Sequence, residues 1–107
     1  MVQQIEWNLE AEETLESTLI YLQDNYSTSV AERFLEEIYK IIDKLVKNPE
    51  SGRRSAIDTS VMIAKIDKYR IMYYDFDGTK LTIHDFFDTR QDPKKRKYWG
   101  VLFFYKI

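Results

Sequence analysis

The sequence predicts an α+β fold of order β-α-α-β-β-β, an antiparallel sheet with an α-helical hairpin packed on one face. Three observations predict it. Apolar residues recur at spacings of three and four between residues 9 and 47, the period falls to two in segments rich in β-branched and aromatic residues between 60 and 87, and short turn signals separate the segments. At 107 residues and 44% hydrophobic content, the chain can bury one core but not two of ordinary size. Residues 1–107 are therefore read as one domain.

Residues 2–7 read as a short strand, and Asn8 stands where a helix N-cap would. Glu10, Glu12 and Glu13 follow in the first turn, where carboxylates favour the helix dipole. Ala11, Leu15, Leu19, Leu22 and Tyr26 trace one apolar stripe along a helix over residues 9–24, and Asp24-Asn25 stop it. A second helix starts at Ser27 or at Ser29, the latter forming a capping box with Glu32. Its face is Ala31, Phe34, Leu35, Ile38, Ile41, Ile42 and Leu45, and it ends before Pro49, which forbids continuation. Neither helix can bury its stripe alone, so a sheet must cover the pair.

The stretch from Pro49 through Gly52 to Arg54 reads as a surface loop. Residues 60–66, 69–76 and 80–87 then read as a three-stranded meander, with Asp67-Lys68 and Asp77-Gly78 as hairpin turns. The tail over residues 93–107 combines a basic cluster with an apolar end too short to span a membrane. It is expected to pack on the sheet as a strand or helix rather than stay exposed until a partner covers it.

Composition narrows the function classes. There is no Cys, which excludes a disulfide framework and a cysteine nucleophile, and the single His84 lacks the companions of a zinc site. No metal and no cofactor is expected. The first residues lack the basic start and apolar run of a signal peptide, so the expected location is the cytoplasm, with no membrane partner. The net charge of −2 conceals an asymmetry. Residues 1–50 hold four Lys/Arg against eleven Asp/Glu, and residues 51–107 hold twelve against seven, giving −7 and +5. Such a split either marks an anionic partner for the second half or reflects solvated Glu-rich helix faces.

Ala31 and Phe34 early in the second helix, Pro49 and Gly52 after it, Tyr69-Arg70-Ile71 opening a strand, and Arg90-Gln91-Asp92-Pro93 after the last strand together resemble the RelE/ParE toxins of type II toxin–antitoxin systems. The resemblance implies a bacterial, growth-inhibiting toxin of the plasmid-stabilization type. A cognate antitoxin would neutralise it by wrapping the sheet and helix grooves in a hetero-oligomer. An acidic antitoxin tail would suit the basic second half.

RelE-like members are ribosome-dependent endoribonucleases that cut messenger RNA, a reaction needing a general base, cations for the developing charge and an acid. In that resemblance Arg70 matches a phosphate-clamping arginine and Arg90 a second one. The rest of the set is missing: the two basic positions ahead of the strand arginine hold Val61 and Ile63, and the expected tyrosine position holds Arg96. Only a slipped hairpin would bring in Lys65 or Tyr98. Alternation places His84 on one face with Thr82 and Phe86, where it would complete a rudimentary site if Arg70 shared that face; the alternative is a histidine hydrogen-bonded within the sheet.

ParE-like members poison DNA gyrase by binding and need no catalytic residues, so the missing set points to them. Arg70 would then be structural, paired with Asp75 or a helix carboxylate, while Arg90 and Lys94, Lys95, Arg96 and Lys97 would contact target or antitoxin. Three readings stand: a gyrase-binding toxin, an interferase acting on ribosome-bound messenger RNA through Arg70, His84, Arg90, Lys65 and Tyr98, and a degenerate toxin that only binds a partner or co-represses transcription.

Overall fold

The computed structural model describes residues 2–56 and 60–90. Strand β1 (Gln4–Trp7) leads into helices α1 (Leu9–Asn25) and α2 (Thr28–Lys47). A 3-10 turn (Pro49–Ser51), β2 (Arg53–Arg54), β3 (Met62–Lys65), β4 (Arg70–Asp77) and β5 (Lys80–Asp88) follow. The sheet order is β1-β5-β4-β3-β2. The expected helix hairpin and meander are both present.

Ser27 is the cap of α2, its Oγ accepting from Val30 N at 3.1 Å, which decides between the two serines. Asn8 occupies the N-cap of α1 but makes no side-chain cap bond; its amide is engaged elsewhere. Tyr26 leaves the expected stripe. It is the C-cap of α1, 66% exposed, and meets the Tyr21 ring edge-on, because the helix has ended before the stripe returns to it. In the second helical face Ala31, Phe34, Ile38, Ile42 and Leu45 are buried as the spacing requires.

The sheet carries apolar clusters on both faces. Against the helices lie Met62, Ala64, Met72, Tyr74, Leu81, Ile83 and Phe86; on the opposite face Val61, Ile63, Tyr73 and Phe87 form a smaller cluster with Ile71 against it. Complete burial of side chains such as Ile38, Leu81 and Ile83 contributes about 1.5–3 kcal/mol each.

Two features differ from the sequence expectation. The sheet is antiparallel through β2 to β5, but β1 pairs parallel with β5, from Gln4 opposite Lys80 to Trp7 opposite Ile83. Alternation tells which face a residue occupies but not which way a strand runs. The stretch after Pro49 is also more than a loop: β2 adds an edge strand, with Arg53 opposite Ile63 and Arg54 opposite Met62.

A buried phenol holds that stretch in place. Tyr74, fully buried on β4, donates its hydroxyl to the Pro49 carbonyl at 2.7 Å and accepts from Gly52 N at 3.1 Å. Burial pushes its ionisation upward. Gly52 is required by space rather than by backbone conformation: its φ is −77°, but a Cβ there would meet the Tyr74 hydroxyl and stand 2.8 Å from the Ile63 carbonyl. Tyr74→Phe leaves one backbone donor and one acceptor without this partner, and the expected loss is about 1–3 kcal/mol in urea denaturation. Gly52→Ala is expected to destabilise comparably by the same measurement, because the side chain and the strand must move apart.

Candidate functional site

The groove between α1 and the ends of β4 and β5 brings the two sequence-predicted arginines together. Its volume is about 740 Å³, and Arg70 and Arg90 line it with Glu13, Thr14, Ser17, Thr18 and Tyr21 of α1, Phe34 of α2, and Asp85 and Asp88 of β5. Each arginine is fixed by local chemistry. Asp67, in the turn before β4, accepts from the backbone N–H of Tyr69 and of Arg70, both at 2.9 Å, an arrangement that short acidic side chains favour in turns. Its other oxygen takes the Arg70 guanidinium at 3.3 Å. That guanidinium lies 5.2 Å from the centre of the Phe34 ring, and the side chain is only 17% exposed. Arg70 is thus paired with Asp67, not with Asp75 or a helix carboxylate.

Arg90 repeats the device at the end of β5. Asp88 accepts from Arg90 N, Nε and NH2 at 2.9, 3.0 and 2.7 Å, and the guanidinium stands 4.4 Å over the Tyr69 ring. The bond to Arg90 holds the Asp88 carboxyl below its ordinary range, assisted by the charge of Arg70, its cross-strand partner; Arg90 is correspondingly harder to deprotonate. Since the folded-state value is depressed, the stability that Asp88 contributes is complete above the range in which a free aspartate titrates and disappears as pH falls through that lower value. Both arginines therefore carry an intramolecular counterion, and the groove as a whole holds three carboxylates, Glu13, Asp85 and Asp88, against two guanidinium groups. Such a lining is not an open phosphate clamp. Arg90, at 53% side-chain exposure, is the member able to reach a partner.

His84 lies elsewhere. The β4–β5 pairing shifts register between Tyr73 and Tyr74, whose partners are Asp85 and Ile83, so His84 is the extra residue of a bulge. Ile83 and Phe86 both turn toward the helices, and Asp75, between the helix-facing Tyr74 and Phe76, projects from the other face, where it meets His84. The expected common face of His84 with Phe86 is overturned by that bulge. So is the shared site with Arg70, which stacks on the helix side. His84 lines a second groove, of about 460 Å³, with Asp75, Asn8 and Ser60.

Both imidazole nitrogens are engaged there, Nδ1 with Asn8 Nδ2 at 2.9 Å and Nε2 with Asp75 Oδ2 at 2.6 Å. An amide NH2 can only donate, so Nδ1 accepts and Nε2 carries the proton toward the carboxylate. That leaves no lone pair for general-base work. His84 instead ties the start of α1 to β4, which is why Asn8 does not cap its own helix.

The remaining candidates do not converge on either groove. Val61 and Ile63 are buried at 3% and 5% in the apolar cluster opposite the helices. β3 and β4 pair from Met62–Tyr74 to Lys65–Ile71 without a register shift, so the slip that would bring in Lys65 does not occur. Lys94, Lys95, Arg96, Lys97 and Tyr98 lie outside the described residues. What sequence reasoning overlooked are the partners that fix the arginines: Asp67, Tyr69, Asp88 and Phe34. The repeated placement of an aspartate two or three residues before an arginine, Asp67 before Arg70 and Asp88 before Arg90, was the legible signal.

Among the described residues no group of His, Cys, Asp and Glu could hold a metal ion, and no helix is long and apolar enough to cross a membrane. No curated protein matches the sequence. Among solved structures the chain is similar to the chromosomal ParDE toxin–antitoxin system of P. aeruginosa, with 13% identity, 81% of this chain and 96% of that one covered, and a TM-score of 0.67. It is similar to a YoeB/ParE toxin from Agrobacterium tumefaciens, with 15% identity, 80% and 98% coverage and a TM-score of 0.60. The E. coli DinJ–YafQ complex follows at 9% identity, 84% and 96% coverage and a TM-score of 0.59. At these identities the likeness establishes the fold. The family is established by the sequence itself: residues 5–93 match the model of the ParE toxin of type II toxin-antitoxin system, parDE, and the chain belongs to that family.

Proposed function

We propose that this ParE-family toxin acts in the cytoplasm by binding and inhibiting DNA gyrase, and that a cognate antitoxin neutralises it. The observation that carries the reading is the fate of the ribonuclease positions. Val61 and Ile63 are apolar and buried, and His84 has both ring nitrogens engaged. These three positions therefore supply no general acid–base pair for 2′-hydroxyl attack, whereas a protein contact requires only a shaped surface with exposed anchors. The toxin–antitoxin complexes among the structural neighbours support the antitoxin partner.

The groove supplies such anchors. Arg90 and the half-exposed Tyr21 flank its mouth, and arginine and tyrosine are the side chains that most often dominate protein interfaces. An incoming carboxylate can share the Arg90 guanidinium with Asp88, since a guanidinium has five donors and Asp88 uses two of them from the side chain.

Purified protein is expected to inhibit gyrase supercoiling while leaving messenger RNA intact in a translating extract; ribosome-dependent cleavage without gyrase inhibition would replace this reading with the interferase, and absence of both would leave a partner-binding protein only. Arg90→Ala is expected to keep the fold and weaken gyrase inhibition about tenfold, the scale of an interface anchor. His84→Ala is expected to lower the melting temperature, through loss of two hydrogen bonds, while the folded fraction inhibits growth as before. Loss of inhibition in a still-folded His84→Ala variant would place the histidine in the chemistry.

A further inference from the structure

The sheet face turned away from the helices carries, near the turn between β4 and β5, a set of polar groups that the proposed function does not use. Strand pairing sets Glu6 of β1 and Asp75 of β4 on either side of Thr82, each one strand spacing away, about 4.8 Å. Lys80 and Asp77 make the next pair toward the turn, and all five side chains line the groove of about 460 Å³ that also holds His84. Thr82 lies between Leu81 and Ile83, which face the helices, so its own side chain points into this groove. Although Thr82 is only 8% exposed, its hydroxyl makes no hydrogen bond among the described residues. Buried hydroxyls ordinarily have a partner. Asp75 is also incompletely used: its Oδ2 meets His84, while its Oδ1 takes no hydrogen bond among the described residues.

Charge decides what fits. Glu6, Asp75 and Asp77 bring three carboxylates to the groove, and Lys80 alone opposes them, because His84 accepts from Asn8 at Nδ1 and is uncharged in that arrangement. Two negative charges are left over. Lys80 Nζ stands 2.9 Å from Glu6, and that bond, with the charges of Asp77 and Asp75 behind it, makes Lys80 harder to deprotonate. The groove's own counterion is therefore an alkylammonium. A further ammonium, with three N–H donors, finds acceptors in the Thr82 hydroxyl, Asp75 Oδ1 and the Glu6 carboxylate. We infer that this groove binds an alkylammonium ligand of two positive charges, one ammonium seated on Thr82 between Glu6 and Asp75 and the other facing Asp77. The two rows are two residues apart along β5, about 6.6 Å, which a short aliphatic diamine spans. The same chemistry could come from a free diamine or from paired lysines of a partner. The inference stands apart from the gyrase reading, because none of these residues lines the arginine groove.

The test titrates the full chain with butane-1,4-diamine and follows amide and methyl resonances. Saturable shifts are expected, centred on Glu6, Thr82, Asp75 and Asp77, while butylamine, with one charge, binds severalfold more weakly. Sodium chloride at matched ionic strength should give no saturable shift. Thr82→Val keeps the side-chain shape and removes the hydroxyl, and is expected to weaken binding about tenfold, the scale of a hydrogen bond to a charged group. Asp77 is exposed, so Asp77→Asn should weaken binding severalfold while the melting temperature hardly moves. A dilysine peptide distinguishes the sources: tighter binding than the diamine assigns the groove to a partner's lysines, and weaker binding assigns it to a free diamine. Absence of saturation with either probe, an equal response to sodium chloride, or unchanged binding by folded Thr82→Val and Asp77→Asn variants would each overturn the inference.

Discussion

One extra residue in β5 determines which chemistry the sheet can display. Without the bulge, strict alternation would carry His84 and Phe86 to the same side, and either the imidazole would be forced under the helices or Phe86 would leave the core. With it, Leu81, Ile83 and Phe86 all reach the helix-side cluster, and Phe87 reaches the opposite one. The ladder beyond the bulge then sets Asp88 opposite Arg70. The arginine groove and the His84 clasp are two consequences of the same shift, and they fall on different faces because of it.

That separation keeps the arginines and the histidine of one small sheet from forming a common site. Catalysis by general acid and base needs convergent groups with a free lone pair and a transferable proton. Here the imidazole is held between a donor and a carboxylate, and each guanidinium is held between an aspartate and a ring. Such double anchoring stiffens a long side chain before any partner arrives, which lowers the entropy lost on binding. For Arg90, exposed and stacked on Tyr69, the anchoring fixes a group that still faces solvent. For Arg70, largely covered by Phe34, the same device contributes mainly to the fold.

The elements that could be read from the sequence are those whose signal is local. The α2 face from Ala31 to Leu45, the stop at Pro49 and the turn at Gly78, whose φ is +58°, follow from spacing and backbone freedom alone. The parallel pairing of β1, the short β2 and the bulge depend on which segments become neighbours, and no window of sequence contains that. The same limit applied to the site. Arg70 and Arg90 could be named as neighbours, and Val61 and Ile63 as apolar, but the position of His84 relative to Arg70 hung on a single register shift. The aspartates beside each arginine were readable, since turn aspartates bond locally, and they alter the electrostatic reading most.

The charge asymmetry of the sequence takes a concrete form in the fold. Its acidic half is concentrated on α1, whereas described cations of the second half are balanced in place, Arg70 by Asp67, Arg90 by Asp88 and Lys80 by Glu6 of β1. A uniformly positive surface would attract any polyanion with an affinity set mostly by salt. The surface observed here is a patchwork: compensated arginines in one groove, carboxylates along the helix beside it. Such a pattern repels a nucleic-acid backbone along α1 and complements only a surface whose own charges alternate to match.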